Sequence, residues 1–182
     1  MTHRSGGSPR TNDVPTESIF AAALVEAATD VMALAKQKRV TIVTAESCTS
    51  GLLATLLSEA PGAAEWLHGG FVTYTKQNKT VALGVPAELL AAKGAVCREV
   101  ALAMAEGALA RSPADIAAAI TGVAGPSPDE DGNPVGRVCI AVARRGFPAG
   151  YLERDYGDIG REAVREQAMA DALAVLRRAA QL

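Results

Sequence analysis

The feature that most constrains the fold is a β-branched run joined to a helical pattern by a turn of small side chains. Residues 40–43 (Val-Thr-Ile-Val) predict a strand, and residues 44–51 carry hydroxyl and thiol groups. The apolar spacing that begins after this turn is typical of a helix. A strand-to-helix turn points free backbone N–H groups and the positive end of a helix dipole at one place, which suits a developing oxyanion. Ser47, inside the turn, is therefore the first candidate for a nucleophile.

Helices alternate with strands early in the chain, and a hairpin is predicted near its end. Together these elements predict an α/β fold: a three-layer α/β/α single domain at 17–182 with a mixed sheet. We expect residues 1–16, rich in Gly, Ser, Pro and Thr, to form a flexible tail. Apolar periodicity and turn signals predict helices near 17–39, 50–58, 76–83, 97–111 and 160–180, with a further short helical piece opened by Pro86. They predict strands near 40–44, 69–75, 115–121, 137–143 and 150–156.

Composition excludes several functional classes. The formal net charge is −2 and the pI about 5.7, so no basic excess favours direct binding of nucleic acid. There is no signal-peptide pattern, no basic amphipathic stretch and no apolar run of membrane-spanning length. Cys48, Cys97 and Cys139 show no CxxC spacing, and with two histidines they do not support a metal site. We expect a cytoplasmic protein without metal or cofactor.

A serine nucleophile needs a base. Neither histidine has an evident partner, so a Ser-His-Asp triad is weakly supported, and a lysine held neutral is the alternative. Lys79 is the candidate because it lies one turn into the helix predicted after the strand that ends at Tyr74. The plainer interpretation is that Glu46, Ser47 and Thr49 cap a helix and that Lys79 is solvated.

Two further segments could bind a ligand. The loop at 121–126 (Thr-Gly-Val-Ala-Gly-Pro) follows a buried-looking strand, its glycines permit close backbone approach, and Thr121 could donate to a phosphate or carboxylate. It is not a Walker motif, and it could equally be a tight turn. Arg161 and Arg165 share one face of the last helix. They could reach an anionic ligand or a neighbouring subunit, or form surface ion pairs with Glu162 or Asp158.

Three segments in this order resemble the CinA C-terminal domain family, whose members include nicotinamide-nucleotide amidases (NMN deamidases). They are TAESCTSG at 44–51, GGFVTY at 69–74 continuing through Lys79 to LGV at 83–85, and AITGVAGP at 119–126. NPVG at 133–136 and the region 161–165 add to a similarity that runs from about residue 19 to 180. The resemblance implies hydrolysis of the carboxamide of nicotinamide mononucleotide (NMN), a pyridine nucleotide, to nicotinate mononucleotide and ammonia. It also favours a homo-oligomer.

The resemblance also implies residue roles. The family's nucleophilic serine matches Ser47, its essential lysine matches Lys79, and its tyrosine matches Tyr74, which could orient the lysine or relay its proton. Cys48 is a rival nucleophile, since a helix N-terminus lowers a thiol pKa. We expect the substrate and its oxyanion to be held by Glu46, Cys48, Thr49, Thr121, Gly122, Ala124, Gly125 and Arg161.

Other interpretations stay open. A second hypothesis is a non-catalytic binding or partner module linked to competence or the DNA damage response, because domains of this family also occur fused to others. A hydrolase of another small amide or nucleotide is a third, since residues 127–132 form an acidic loop where the family has a glycine run. The chain also has Ser50 in place of a family glycine. Lys76 adds a positive charge that could depress the pKa of Lys79 or point into solvent.

Overall fold

In the computed structural model, residues 18–182 are described, so the tail predicted at 1–16 lies outside them. The described residues form five strands: β1 (Ile42–Glu46), β2 (Leu67–Val72), β3 (Ile116–Gly122), β4 (Arg137–Arg144) and β5 (Gly150–Asp155). They also form six α-helices: α1 (Ala22–Lys38), α2 (Leu52–Ser58), α3 (Lys76–Leu83), α4 (Ala87–Lys93), α5 (Arg98–Ala110) and α6 (Arg161–Gln181). A 3₁₀ turn at Ala63–Glu65, which the sequence did not predict, precedes β2.

The predicted α/β/α fold with a mixed sheet is confirmed. The helix predicted at 76–83 matches α3, which ends at Gly84 in the left-handed region with φ of 71°. The first helix begins later than expected, at Ala22, because Ala21 is extended with ψ of 139° and the Ser18 hydroxyl accepts a hydrogen bond from the Phe20 N–H. Strand β1 extends to Glu46, two residues beyond the end predicted at 44.

The strand order places three strand ends side by side. The order is β2-β1-β3-β4-β5, with β1 parallel to β2 and β3, and with β4 and β5 joined in antiparallel fashion. The chain passes from β1 to β2 on one side of β1, and β3 then pairs with β1 on its other side. A crevice forms at the carboxyl ends of the strands at such a reversal. Ser47, Thr73 and Thr121 follow or end β1, β2 and β3, so all three lie at this edge.

Both faces of the sheet are covered. Side chains alternate between the two faces: Ile42 and Ile116 pack in the core beneath α1, α2 and α6, whereas Val43 and Ala117 pack in the core beneath α3, α4 and α5. Burial on both faces explains why β1 and β3 read as near-continuous apolar runs. Within residues 18–182, none of the helices combines the length and apolar character that crossing a membrane requires.

Candidate active site

The Glu46 carboxylate accepts the hydrogen bonds that fix the turn after β1. Glu46 has no exposed surface. Its two oxygens accept hydrogen bonds from the Thr44 and Thr49 hydroxyls at 2.9 and 2.7 Å, and from the N–H groups of Gly51, Leu53 and Ala54 at 3.0, 3.0 and 2.9 Å. A charged acceptor thereby caps the start of α2. The capping interpretation therefore holds for Glu46, and Ser47 is left free above it.

Ser47 and Lys79 are in contact. Lys79 Nζ lies 2.7 Å from Ser47 Oγ and donates to the Thr73 carbonyl oxygen at 2.8 Å. The lysine is only 1% exposed, and burial lowers its pKa from 10.5 to about 8. No carboxylate of the described residues forms an ion pair with it. A sizeable fraction of Lys79 is therefore neutral at mildly alkaline pH, as a general base requires.

Within the described residues, two N–H groups of the turn at 47–51 remain free. The Ser47 N–H donates to the Ile120 carbonyl at 2.9 Å, and the Ser50 N–H donates to the Ser47 carbonyl at 3.1 Å. The Gly51 N–H is taken by Glu46. Within the part of the chain that the structure describes, the N–H groups of Cys48 and Thr49 have no acceptor. These are the two donors that the sequence assigned to an oxyanion.

The structure does not favour Cys48 as the nucleophile. Its side chain is 6% exposed, and burial raises its pKa to about 11. The pKa of Cys48 therefore rises instead of falling, because loss of solvent outweighs the nearby positive charges of Lys79 and Arg165. At neutral pH the group is a thiol, which is a poor nucleophile.

A cavity of about 440 Å³ opens above Ser47 and Lys79. Its size is within the range of small-molecule sites. Most of the residues that the sequence assigned to the substrate lie in its wall, and so does Tyr74, which the sequence assigned to catalysis. The substrate candidates in the wall are Cys48, Thr121, Gly122, Ala124, Gly125 and Arg161.

Glu46 and Thr49 do not line this cavity with their side chains. Both are fully buried, and their polar groups bond to each other. The expectation that these side chains contact substrate therefore has no geometric support, and of the two residues only the Thr49 N–H remains a candidate. Ser50, with φ of 54°, also lies outside the cavity wall, so its side chain does not narrow the cavity.

Tyr74 lies at the rim of the cavity. Its side chain is 57% exposed, and its hydroxyl accepts a hydrogen bond from Arg161 at 3.1 Å. Among the hydrogen bonds of residues 18–182, none joins the Tyr74 hydroxyl to Ser47 or Lys79. The Thr73 carbonyl orients the lysine instead. A backbone carbonyl has no signature in a sequence, so sequence reasoning could not find it.

Arg161 joins two walls of the cavity. From the first residue of α6, its guanidinium donates to the Gly125 carbonyl and to the Tyr74 hydroxyl. It forms no ion pair with a carboxylate of the described residues, so its charge is available to an anionic ligand. The Thr121 hydroxyl donates its proton to the Ala95 carbonyl at 2.8 Å. The same proton is not available to a phosphate, so the hydroxyl can only accept a hydrogen bond from a ligand.

Lys76 is neutralised by the acidic loop. Its Nζ forms ion pairs with Glu130 at 2.8 Å and Asp131 at 2.7 Å, and hydrogen bonds to these carboxylates raise its pKa. The low pKa of Lys79 arises from burial and not from a neighbouring cation. Lys76 therefore neither depresses the pKa of Lys79 nor points free into solvent. It forms ion pairs with Glu130 and Asp131 in the wall of the cavity.

Comparison with known proteins gives one consistent family. The model of the CinA C-terminal domain family matches residues 24–180. The CinA-like protein of Mycolicibacterium gilvum is 49% identical over 140 residues, which are 76% of this chain and 33% of that protein. The CinA-like protein of Geobacter sulfurreducens is 43% identical over 151 residues, 82% of this chain and 36% of that protein. The chain thus spans about a third of the length of these curated relatives.

Solved structures match over nearly their whole length. The crystal structure of competence/damage inducible protein CihA from Agrobacterium tumefaciens has 41% sequence identity and a TM-score of 0.79, and the match covers 91% of this chain and 96% of that one. A CinA superfamily protein from Klebsiella pneumoniae has 35% identity and a TM-score of 0.82, with 87% and 98% coverage. Fold and sequence agree in these comparisons.

Proposed function

This chain belongs to the CinA C-terminal domain family, and we propose that it hydrolyses the carboxamide of nicotinamide mononucleotide to nicotinate mononucleotide and ammonia. The observation that carries this proposal is the 2.7 Å contact between Ser47 Oγ and the buried Lys79 Nζ. A hydroxyl paired with an amine whose pKa burial lowers to about 8 is what nucleophilic amide hydrolysis by a serine and a lysine requires.

In the first step, Ser47 Oγ attacks the carboxamide carbon. A C–O bond forms, the hydroxyl proton passes to neutral Lys79 Nζ, and the carbonyl electrons move to oxygen. The N–H groups of Cys48 and Thr49 stabilise this oxyanion, and such donors contribute about 3 kcal/mol each. The Thr73 carbonyl accepts from Nζ at 2.8 Å and keeps its lone pair directed at Ser47.

In the second step the C–N bond breaks. Lys79 returns the proton to the departing nitrogen, which leaves as ammonia, and the acyl group stays on Ser47. A water then attacks the ester while Lys79 accepts its proton. As the second oxyanion collapses, the bond between the acyl carbon and Ser47 Oγ breaks, and Lys79 gives its proton to Oγ, which restores the Ser47 hydroxyl and the neutral amine. The same base and the same N–H donors serve both halves of the reaction.

Among the described residues that line the cavity, Arg161 is an always-charged cation without a carboxylate partner. We assign the phosphate to Arg161, with the backbone of residues 122–125 beside it, because this guanidinium has no carboxylate partner among the described residues. Tyr74 holds Arg161 and faces the cavity, so we assign it to substrate contact rather than to proton relay. Thr121 completes this wall.

Ammonia release tests the proposal. Purified protein is incubated with NMN, and both ammonia and nicotinate mononucleotide are measured. Ser47→Ala and Lys79→Met should abolish turnover, whereas Cys48→Ala should retain it because only the backbone N–H of Cys48 takes part. Loss of activity in Cys48→Ala alone would defeat the assignment of Ser47. A wild-type protein that binds NMN or a protein partner but releases no ammonia would favour the binding-module hypothesis.

The homo-oligomeric state is a further part of the proposal. Sedimentation velocity at several concentrations measures it directly. A single monomeric species across those concentrations would contradict it.

A further inference from the structure

We propose that Arg165 is a positioning residue for the oxyanion site: its guanidinium fixes and polarises the Cys48–Thr49 peptide, so that the Thr49 N–H is directed at the reacting carbonyl. This inference rests on the proposed acyl transfer at Ser47. It assigns a function to a contact that joins positions 117 residues apart in the sequence.

The contact comes from outside the catalytic cavity. Arg165 Nε donates to the Cys48 carbonyl oxygen at 2.8 Å from the second turn of α6. Arg165 lines a neighbouring cavity with Leu52 and Met169, not the one above Ser47. The Cys48 carbonyl is therefore drawn toward α6 and away from the substrate.

Peptide geometry carries this orientation to the next N–H group. In a trans peptide the C=O and the following N–H point in opposite directions. Holding the Cys48 carbonyl toward α6 thus turns the Thr49 N–H to the other side of the turn. Among residues 18–182 this N–H has no acceptor, whereas the N–H groups of Ser47, Ser50 and Gly51 are engaged. Arg165 therefore anchors the Cys48–Thr49 peptide, and the N–H group of that peptide is free within the described residues.

The charge on Arg165 adds to the effect. Arg165 forms no ion pair within the described residues, although Glu162 and Glu166 lie on the same helix. Its hydrogen bond to a carbonyl is charge-assisted, and such a bond polarises the peptide and strengthens the opposite N–H as a donor.

The test compares Arg165→Met with wild type in two reactions. The first is NMN hydrolysis, and the second is acylation of Ser47 by p-nitrophenyl acetate, followed by mass spectrometry with Ser47→Ala as the blank. We expect kcat and the acylation rate to fall about tenfold, a fraction of the effect of deleting an oxyanion donor. KM for NMN should stay within about twofold, and the pH midpoint should not move, because Arg165 contacts neither substrate nor Lys79. Arg165→Lys should restore part of the rate.

Controls separate the outcomes. Arg177→Met, an exposed arginine further along α6, should keep wild-type rates. If Arg165→Met does not fold, Arg165→Gln, which retains a neutral donor, replaces it with the same expected direction. Rates within twofold of wild type, or a rate loss that Arg165→Lys does not relieve at all, would overturn the inference.

The two reactions also keep this inference separate from the substrate proposal. A wild type that is inert toward NMN but acylated at Ser47 would refute the substrate alone, and Arg165 would still be tested by the ester. A Ser47 that reacts with neither compound would refute both.

Discussion

Comparison of wild type with Lys79→Met should show how much the buried amine destabilises the folded protein. The pKa of Lys79 falls from 10.5 to about 8 in the folded protein because its ammonium form is desolvated. Since the folded pKa lies below the unfolded one, the unfolded chain binds more protons between about pH 8 and 10.5. The free energy of unfolding of the wild type therefore rises with pH through that window, whereas the variant lacks this rise.

The magnitude follows from the two pKa values. A pKa lowered from 10.5 to about 8 corresponds to about 3 kcal/mol between the fully protonated and fully neutral limits. About 2.5 kcal/mol of this is recovered between pH 7 and pH 10. The hydrogen bonds to Ser47 and Thr73 add an offset that does not depend on pH, because a neutral amine still donates.

Urea unfolding of both proteins at a series of pH values measures the effect. The wild-type free energy of unfolding minus that of Lys79→Met should increase by about 2.5 kcal/mol from pH 7 to pH 10. Lys76→Met is the matched control, one turn away: ion pairs raise the pKa of Lys76, so its contribution is present at lower pH and lost at high pH. A flat difference for Lys79→Met would mean that Lys79 keeps an ordinary pKa, and the reasoning about a neutral base would fail.

Three further outcomes follow from the same site. The kcat/KM for NMN should rise with pH and level off with a midpoint near the Lys79 pKa of about 8, and a profile flat from pH 6 to 9 would contradict this. Glu46→Gln should lower the free energy of unfolding by at least about 2 kcal/mol in urea unfolding, because an amide NH₂ would face N–H and O–H donors; a change below about 0.5 kcal/mol would be inconsistent with the cap. Gly107→Ala should lower the melting temperature although alanine favours helices, since its Cβ would overlap the Leu83 carbonyl oxygen; an unchanged or higher melting temperature would show that α3 and α5 can separate freely.

Local sequence signals carried most of the secondary structure. A β-branched run predicts β1, a buried-looking apolar run predicts β3, and Gly84 marks the end of α3 because a left-handed residue is needed there. Ser47 and Lys79 could be named as partners from their places after two strands and from the family resemblance. The predicted start of the first helix, near residue 17, was wrong. The Phe20 N–H bonds to the Ser18 hydroxyl instead of joining a helix, and apolar periodicity does not reveal such a local contact.

Electrostatics could not be predicted in the same way. The Cys48 pKa was expected to fall and instead rises, and Lys76 was expected to face Lys79 or solvent and instead binds the acidic loop. Both depend on how much water reaches a group and on which charges surround it. Those are properties of packing between segments far apart in the chain.

The chain of residues by itself determined which segments form strands, turns and helices and the order in which they follow, because these depend on neighbours within a few positions. Tertiary structure decided what the side chains of those segments can do. The pKa of Lys79 falls only because α3 packs against the sheet and removes water, and Ser47 meets Lys79 across 32 positions only because β1 and β2 are adjacent and parallel. Burial and strand adjacency are collective properties of the folded chain, and no local pattern encodes them.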